Sequence, residues 1–332
     1  MSSQKIFDVI AVGDSTVDTF IKIHDASLEC DINHEDCRIC VKYGEKIPVD
    51  SIAYGVAGNA ANVVVGCSLL GLKTAIYTHT GHDWQGEIII KNFSEKGVSE
   101  DFVVVEKGKS SNLSVVLTFR GERTIFVYHQ PWHYRLPKLP VCKWLYFTSV
   151  SASFRDSDLI NEVCHFIDQT RARLAFGPGT YQLKVGIKKY PKLLERCDLM
   201  IVNFEEAKDI LGIEKTERID VKDLLSKMLL LGPEIIVVTN GEEGSYASDG
   251  KKYLKVGIFP TKLVERTGAG DAYASGFISA FAYNQSLEEA MVWGTINASR
   301  VISEIGAQKG LLTKESLERH RKVVAELAAK NF

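Results

Sequence analysis

A short glycine-rich segment that ends in one acid has the residue types and spacing best suited to chemistry. Gly268-Ala269-Gly270-Asp271 stands directly before small and apolar residues that predict a helix. Glycine reaches backbone angles closed to other residues, so successive N–H groups can point into one concavity, where the helix dipole adds positive potential. The segment predicts an anion site with Asp271 at its rim as a candidate general base. An ordinary turn with Asp271 as a helix cap is an equally good explanation of these four residues.

Two asparagines follow a glycine in the N-terminal half of the chain. Gly58, Asn59 and Asn62 open a segment that predicts a buried helix ending at Gly71. Amide side chains both donate and accept hydrogen bonds, as the recognition of a polyol requires, and the small residues allow a ligand to approach closely. The alternative is a glycine and alanine packing surface with an asparagine cap.

Two acids lie just beyond the first predicted strand, an apolar run over residues 7–12. The carboxyl ends of parallel strands form the usual ligand edge of an α/β sheet, so Asp14 and Asp18 are candidates for substrate binding. The Gly-x-Gly-x-x-Gly turn of a dinucleotide-binding unit is absent here, which argues against a nicotinamide-dependent reductase. A pair of turn-forming acids is the alternative.

Predicted strands and helices alternate from about residue 144 onward, which indicates a mostly parallel sheet with helices on both faces. The length of 332 residues, with 45% hydrophobic and 25% charged, suits one large α/β domain or two ordinary ones. The net charge of -2 gives no reason to expect nucleic acid or an anionic membrane as a partner. With no signal region and no apolar run of membrane-spanning length, we expect a cytoplasmic protein.

Two strand-rich segments, at about residues 19–52 and 101–129, depart from the alternating pattern and predict one small β-sheet that covers the site as a lid. The first segment also contains two histidines and three cysteines: His24, Cys30, His34, Cys37 and Cys40. Their spacing fits no established metal pattern, so buried or edge-strand cysteines are expected, with a metal site as the alternative. The odd total of seven cysteines makes a disulfide scaffold an unlikely framework for this chain.

The longer string from Val264 to Asp271 resembles the C-terminal signature of the ribokinase-like (PfkB) family of sugar and nucleoside kinases. The resemblance implies that the backbone of Gly268, Ala269 and Gly270 forms the anion hole, and that Asp271 deprotonates the acceptor hydroxyl.

The N-terminal motifs resemble the same family. Gly58, Asn59 and Asn62 resemble a Gly-Gly-x-x-x-Asn-type segment that touches the sugar, although only one glycine of the pair is present. The family also has an acid after its first strand that binds substrate hydroxyls. Asp18 matches that position best, and Asp14 is the second candidate for it.

The resemblance extends to the nucleotide side. Asn203 and Glu206 match an Asn-x-x-Glu motif that organises Mg²⁺ and its waters near the ATP phosphates. Four residues are implied to line the nucleotide: Thr239, Gly241 and Gly244 of a Thr-x-Gly-x-x-Gly turn, and Asn297. Glu265 replaces the aspartate of a monovalent cation site, so the resemblance leaves a requirement for K⁺ open.

These observations predict one ribokinase-like domain over residues 1–332, a three-layer α/β/α fold with a mostly parallel central sheet and a small β lid. The expected reaction moves the γ-phosphoryl of MgATP to a hydroxyl of a small sugar. A nucleoside acceptor is the alternative, suggested by the aromatic residues around Trp132 and Tyr134. A non-catalytic sugar- or nucleotide-binding protein on the same fold is a second alternative. A homodimer through the lid is expected from the family.

Overall fold

The computed structural model describes residues 6–31, 37–120, 122–214, 216–324 and 326–332. His34, which was considered for a metal site, and Gly121, in the turn predicted between two lid strands, lie outside the described residues. Within the described ranges, no helix combines the length and the apolar character needed to cross a membrane.

The strands of the described residues are numbered in chain order. They are β1 (Phe7–Val12), β2 (Thr16–Lys22), β3 (Ser27–Cys30), β4 (Cys37–Cys40), β5 (Ser51–Ala57), β6 (Thr74–Gly81), β7 (Val98–Glu106), β8 (Leu113–Phe119), β9 (Glu122–Tyr128), β10 (Cys142–Phe147), β11 (Arg173–Phe176), β12 (Cys197–Asn203), β13 (Ile235–Thr239), β14 (Ser245–Ser248), β15 (Tyr253–Val256) and β16 (Lys330–Asn331).

Ten of these strands form one large sheet in the order β16-β15-β14-β13-β12-β11-β10-β1-β6-β7, over the described part of the chain. Neighbours from β7 across to β13 pair in parallel, and those from β13 to β16 pair antiparallel. The predicted mostly parallel sheet is therefore confirmed. Its carboxyl edge collects the loops after β1, β10, β12 and β13, where most of the candidate site residues were predicted.

The helices are likewise numbered in chain order. They are α1 (Asn59–Leu69), α2 (Trp84–Glu95), α3 (Leu159–Thr170), α4 (Thr180–Val185), α5 (Pro191–Leu194), α6 (Phe204–Leu211), α7 (Val221–Leu229), α8 (Ala269–Ala282), α9 (Leu287–Val301) and α10 (Lys314–Val323), with short 3-10 turns at Ala152–Asp156, Ile187–Lys189 and Gly241–Glu243.

The large sheet is buried on both faces, as the alternation of side chains in β1 shows. Val9 and Ala11 belong to a hydrophobic core that also contains residues of α1, α8 and α9. Ile10 and Val12 point the other way, into a second core that contains residues of α3, α6 and α7. A strand with both faces buried must be apolar throughout, which is why β1 reads as a continuous apolar run.

A second sheet, with strand order β5-β2-β8-β9, forms the lid. The strand register places Asp18, Ser114 and Val127 in one row that faces the large cavity described below. The opposite surface, here called the outer face of the lid, carries apolar side chains that are about half exposed. They are Ile52, Tyr54, Phe126 and Tyr128.

The structure corrects the predicted limits of the lid. Residues 98–106 form β7, the edge strand of the large sheet, so the second lid segment begins only at β8. Strands β3 and β4 pair with each other as a separate hairpin rather than joining the lid sheet. Near the end of the chain, α10 ends at Val323, and the chain then reaches the large sheet as β16.

The cysteines of the β3–β4 hairpin differ from the expected free thiols. Cys30 and Cys37 lie opposite each other in the hairpin and form a disulfide, while Cys40 is free. Within the described ranges, no group of three or more His, Cys, Asp or Glu side chains is arranged to hold a metal ion. The hairpin is thus closed by one local disulfide, which a count of cysteines could not predict.

Candidate active site

Two motifs more than 200 residues apart meet at Asp271. The amide of Asn59 donates to Asp271 Oδ1 at 3.0 Å, and the amide of Asn62 donates to Asp271 Oδ2 at 2.8 Å. Both asparagines lie in the first turn of α1, and Asp271 lies in the first turn of α8, which packs against α1. The two helices therefore bring their N-terminal turns together, and each carboxylate oxygen keeps further lone pairs for a substrate proton.

Two glycines make this close approach possible. Gly58 has φ 101°, and a Cβ there would lie 2.6 Å from the Asp14 carbonyl oxygen. Gly268, which precedes α8, has φ 81°, and a Cβ there would lie 2.6 Å from the Cβ of Ala307. Both positions therefore exclude other residues by backbone conformation and by space. At Gly270, in contrast, a Cβ would meet open space, because this backbone faces the cavity.

A cavity of about 560 Å³ opens above Asp271, between the carboxyl edge of the large sheet and the lid. All the predicted acceptor and anion-hole residues line it: Asp14, Asp18, Gly58, Asn59, Asn62, Gly268, Ala269, Gly270 and Asp271. Sequence reasoning missed or misjudged several other lining residues, namely Asn112, Ser114, Arg123, His129, Ser149 and Tyr181. These are single side chains outside any motif, so only the folded chain identifies them.

The cavity concentrates carboxyl groups whose pKa values are raised. Burial raises the pKa of Asp14 to about 7, against a hydrogen bond from the Tyr134 hydroxyl. Burial also raises the pKa of Asp18 to about 6, and the charges of Glu265 and Asp271 add to the rise. Burial raises the pKa of Asp271 to about 6, while the Asn62 and Asn59 amides oppose the change. At neutral pH Asp271 is thus ionised but basic enough to accept a proton.

The Asn-x-x-Glu motif forms a reciprocal cap at the start of α6. Asn203 Oδ1 accepts from the Glu206 N–H at 2.8 Å, and Glu206 Oε2 accepts from the Asn203 N–H at 2.9 Å. The sequence prediction of Asn203 as an N-cap is confirmed. Both residues also line the cavity, and burial, together with the charge of Asp271, raises the pKa of Glu206. A negative site of this kind is suited to a cation.

A second cavity, of about 310 Å³, adjoins the first. Thr239, Gly241 and Gly244 line it, as predicted for the nucleotide turn, together with apolar side chains such as Phe259 and Ile302. The two cavities share four lining residues: Thr239, Arg266, Ala269 and Gly270. The anion-hole segment therefore lies at the junction between a polar cavity and a more apolar one.

The structure corrects the assignment of Asn297. This side chain is fully buried, and its amide donates to the Ala272 carbonyl at 2.9 Å and to Ser275 Oγ at 3.0 Å. Its oxygen accepts from the Leu312 N–H at 3.0 Å. Asn297 faces α8 rather than the second cavity, where Thr295, Ala298, Ser299 and Ile302 of the same segment lie instead. The helix was predicted correctly, but a motif does not fix which face of it meets the ligand.

The aromatic residues around Trp132 also occupy a different place from the one suggested. Trp132 and Tyr134 are buried and stack or pack edge-on against His79, outside the cavity. The Tyr134 hydroxyl donates to Asp14 Oδ1 at 2.7 Å, so this cluster supports the cavity floor from below. It offers no ring surface to a base.

The carboxylate of Glu265 already has hydrogen-bond partners within the protein. Its Oε1 accepts from the Thr267 N–H at 2.8 Å, from the Thr267 hydroxyl and from the guanidinium of Arg123. Arg123 thus lies between the lid and the segment that leads into Gly268. The predicted monovalent cation position is thus next to an arginine.

The fold has the arrangement of a phosphotransferase, with a buried carboxylate at a helix N-terminus beside the junction of two cavities. The pattern of the pfkB family of carbohydrate kinases matches residues 18–314. The chain belongs to this family, and it is a carbohydrate kinase that uses ATP to phosphorylate a hydroxyl group.

Individual relatives are consistent with the family assignment. An uncharacterised sugar kinase of Archaeoglobus fulgidus is 27% identical over 253 residues, which cover 74% of this chain and 98% of that protein. The ribokinase of Arabidopsis thaliana, solved with ribose and ATP, shares the fold with a TM-score of 0.77 at 19% identity, covering 95% of this chain and 98% of the other. The nucleoside kinase of Methanocaldococcus jannaschii has a TM-score of 0.75 at 17% identity, covering 97% and 100%.

Proposed function

We propose that Asp271 is the general base that takes the proton from the acceptor hydroxyl. The observation that supports this role most directly is the pair of amide hydrogen bonds from Asn59 and Asn62 to its two carboxylate oxygens. They fix the carboxylate in the floor of the acceptor cavity, one residue from Gly270 at the cavity junction. A positioned base with a pKa of about 6 is close to the value that general base catalysis needs near neutral pH.

The anion hole is assigned to the backbone of Gly268, Ala269 and Gly270. These residues stand at the N-terminus of α8, a 14-residue helix, where unpaired N–H groups and the helix dipole favour negative charge. Charge that develops on the transferred phosphoryl group is stabilised there without reorganisation, an effect of about 3 kcal/mol for one donor in comparable sites.

Glu206 is the residue that would hold Mg²⁺, through water and together with the donor phosphates. Its carboxylate faces the cavity beside Asp271, and Mg²⁺ typically binds one or two carboxylates plus phosphate oxygens rather than a closed protein cage. The cation neutralises charge on the phosphates when it is bound. Asn203 orients Glu206 through the reciprocal cap, and Thr239, Gly241 and Gly244 form the wall against the nucleotide.

The acceptor is proposed to be a small sugar. Two polar atoms of the cavity lining, Asp14 Oδ2 and Thr16 Oγ1, are buried and have no hydrogen-bond partner among the described residues. Such atoms are costly unless a ligand satisfies them, and vicinal hydroxyls are the fitting chemistry. Asp18 extends the same row of acceptors. In the lid above, Ile125 and Val127 present an apolar surface that suits the C–H face of a ring.

A nucleoside is the second candidate, on one observation. His129 and Tyr181 line the acceptor cavity and contact each other edge to face, with ring centroids 5.4 Å apart. Aromatic side chains at a cavity wall can stack on a base. His129 and Tyr181, rather than Trp132 and Tyr134, are therefore the aromatic residues that support a nucleoside as the alternative acceptor.

The decisive experiment measures ADP release from MgATP with pentoses, hexoses, sugar phosphates and nucleosides as acceptors. We expect release that depends on one sugar. In Asp271→Asn, turnover of that sugar should fall about 10²- to 10⁴-fold, as loss of a general base predicts, while ATP binding measured by calorimetry is retained. An unchanged rate in this variant would remove Asp271 from the role of base. Release that depends only on nucleosides would replace the sugar assignment.

We also infer that the protein forms a homodimer through the outer face of the lid. Four apolar side chains of that sheet, Ile52, Tyr54, Phe126 and Tyr128, are between 48% and 58% exposed. They lie on the side of the sheet that faces away from the cavity, so their apolar character is not required for binding the acceptor. A contiguous exposed apolar surface on a β-sheet is typical of a protein–protein contact.

A further inference from the structure

One side-chain contact joins the lid to the anion-hole segment across 142 residues of sequence. The guanidinium of Arg123, on β9, donates to Glu265 Oε1 and to Thr267 Oγ1, the latter at 2.9 Å. Thr267 is the residue directly before Gly268. The lid is therefore bonded to the main-chain segment that leads into the proposed phosphoryl site.

The same carboxylate organises the turn before the anion hole. Glu265 is only 14% exposed in its side chain, and its Oε1 also accepts from the N–H and the hydroxyl of Thr267. The Glu265 N–H donates to the Ile302 carbonyl at 3.1 Å, next to the end of α9. The turn is thus held by α9 on one side and by Arg123 on the other, so a change at Arg123 acts on the position of Gly268.

Arg123 also belongs to the row of lid residues that covers the acceptor. Arg123, Ile125, Val127 and His129 alternate along and just beyond β9, and all four line the acceptor cavity. One ion pair therefore connects the strand that covers the cavity with the segment that precedes Gly268. Partial burial of that ion pair, and its hydrogen bond to Thr267, distinguish it from a solvated surface pair.

We propose that Arg123 is a positioning residue that couples closure of the lid to the geometry of the anion hole, and that its guanidinium supplies the positive charge that a monovalent cation would bring to Glu265. This inference rests on the proposed function, since it assumes that the Gly268–Asp271 segment handles the phosphoryl group.

The residues present do not fit a K⁺ site. Glu265 Oε2 is buried and accepts no hydrogen bond from the described residues, but its carboxylate already pairs with a guanidinium. A K⁺ ion on this oxygen would lie against that like charge, and the single negative charge of Glu265 would be shared between two cations.

The first experiment compares Arg123→Ala with Arg120→Ala, a matched removal of an arginine from the same hairpin. Arg120 lies over the ring of Phe119, and it is not among the described residues that line the two cavities. We expect kcat of Arg123→Ala to fall about 10- to 100-fold, because a charge-assisted contact is lost and the reacting groups are displaced, while KM for ATP changes little. Millimolar guanidinium should restore part of this rate. Arg120→Ala should behave as the wild type. Equal rates in the two variants would overturn the proposal.

The second experiment varies the salt and the partner residue. The wild-type rate should be the same in potassium chloride and in tetramethylammonium chloride, and a dependence on K⁺ would overturn the proposal. The double variant Arg123→Ala/Glu265→Gln should be no slower than the slower single variant, because the two residues act as a unit. If the rate loss of the double variant equalled the product of the losses of the two single variants, the residues would act independently and the coupling would be contradicted. Full turnover in Asp271→Asn would contradict the proposed role of Asp271. Full turnover in Arg123→Ala, with turnover lost in Asp271→Asn, would contradict only the coupling through Arg123.

Discussion

Asp271 shows how two opposed effects set one pKa at the residue scale. Desolvation at the cavity floor favours the neutral acid, and the two asparagine amides favour the carboxylate. The result, a pKa of about 6, keeps Asp271, the proposed base, ionised at neutral pH without making it a poor proton acceptor. Asn59 and Asn62 therefore act on the basicity of Asp271 as well as on its orientation, and this role is separable by experiment from contact with the acceptor.

The pH dependence of activity tests this balance. Because only ionised Asp271 can act, kcat/KM should rise with pH through about 6 and then level off. In Asn62→Ala the amide donor is lost, so the pKa of Asp271 should rise and the acid limb should move to higher pH by about one unit. Rate profiles from pH 5 to about 9 measure the shift.

A suitable control for that profile is Ser149→Ala. The Ser149 hydroxyl lies in the same cavity but donates to Asn59 Oδ1 at 3.0 Å, so both amides on Asp271 are retained. The acid limb of the Ser149→Ala rate profile should therefore lie at nearly the same pH as that of the wild type. The pKa values of Asp18 and Asp14 are raised to the same range, so the acid limb of the rate profile reports all three carboxyl groups together. If the acid limb of Asn62→Ala coincided with that of the wild type, Asp271 would not be among the groups that control the rate.

At the scale of elements, the site depends on how α8 is seated against α1 and α9. Gly66 of α1 meets Ser275 of α8 so closely that a Cβ on Gly66 would lie 2.3 Å from Ser275 Oγ. Gly276 likewise packs against the backbone of Trp293 on α9, where an added Cβ would lie 2.7 Å from the Trp293 carbonyl oxygen. These small residues let three helices approach closely, and the approach fixes where the first turn of α8 presents Asp271.

Asn297 should contribute to stability rather than to nucleotide contact. Asn297→Ala leaves the Leu312 N–H buried without its acceptor and removes one donor from the Ala272 carbonyl, which keeps its bond from the Ser275 hydroxyl, so the free energy of unfolding in urea should fall by about 1–3 kcal/mol. KM for ATP should change little. Asn161→Ala, an exposed asparagine of α3, is the matched control and should cost less than about 0.5 kcal/mol. If Asn297→Ala raised the KM for ATP and kept the free energy of unfolding of the wild type, Asn297 would instead be assigned to the nucleotide site.

On the scale of the whole molecule, the lid sheet has two different surfaces because side chains alternate along its strands. Asp18 and Ser114 meet the acceptor cavity, while Tyr54 and Phe126 lie on the outer face. The same four strands can therefore cover a substrate and bind a second chain. In such a dimer, each lid would be held by its partner as well as by the Arg123 contact.

A charged substitution on the outer face tests the dimer. Sedimentation velocity of the wild type should show a dimer, and Phe126→Asp should shift it to monomer, because an unpaired charge at an apolar contact is costly to bury. Leu230→Asp replaces a leucine that is 86% exposed at the end of α7 and should leave the dimer intact. A monomeric wild type at micromolar concentration would reject the assembly.

The sequence by itself predicted the class of fold and the family, and its motifs contain most of the named candidate residues that meet at the two described cavities. Apolar runs and helical periods are local properties, and the motifs around Gly58, Asn203 and Gly268 are contiguous strings that can be identified without knowledge of the fold. Local signals also mark the limits of α6, since Asn203 is its N-cap and Gly212, in the left-handed conformation, is its C-cap.

Only the tertiary structure decided contacts between distant segments. It placed Asn297 against α8, buried Trp132 below the acceptor cavity and brought Arg123 to Glu265. It also moved residues 98–106 from the lid to the large sheet and closed the β3–β4 hairpin with a disulfide. In each case the deciding quantity is which face of an element meets which neighbour, and this depends on packing and strand register over the whole chain rather than on the local pattern of residues.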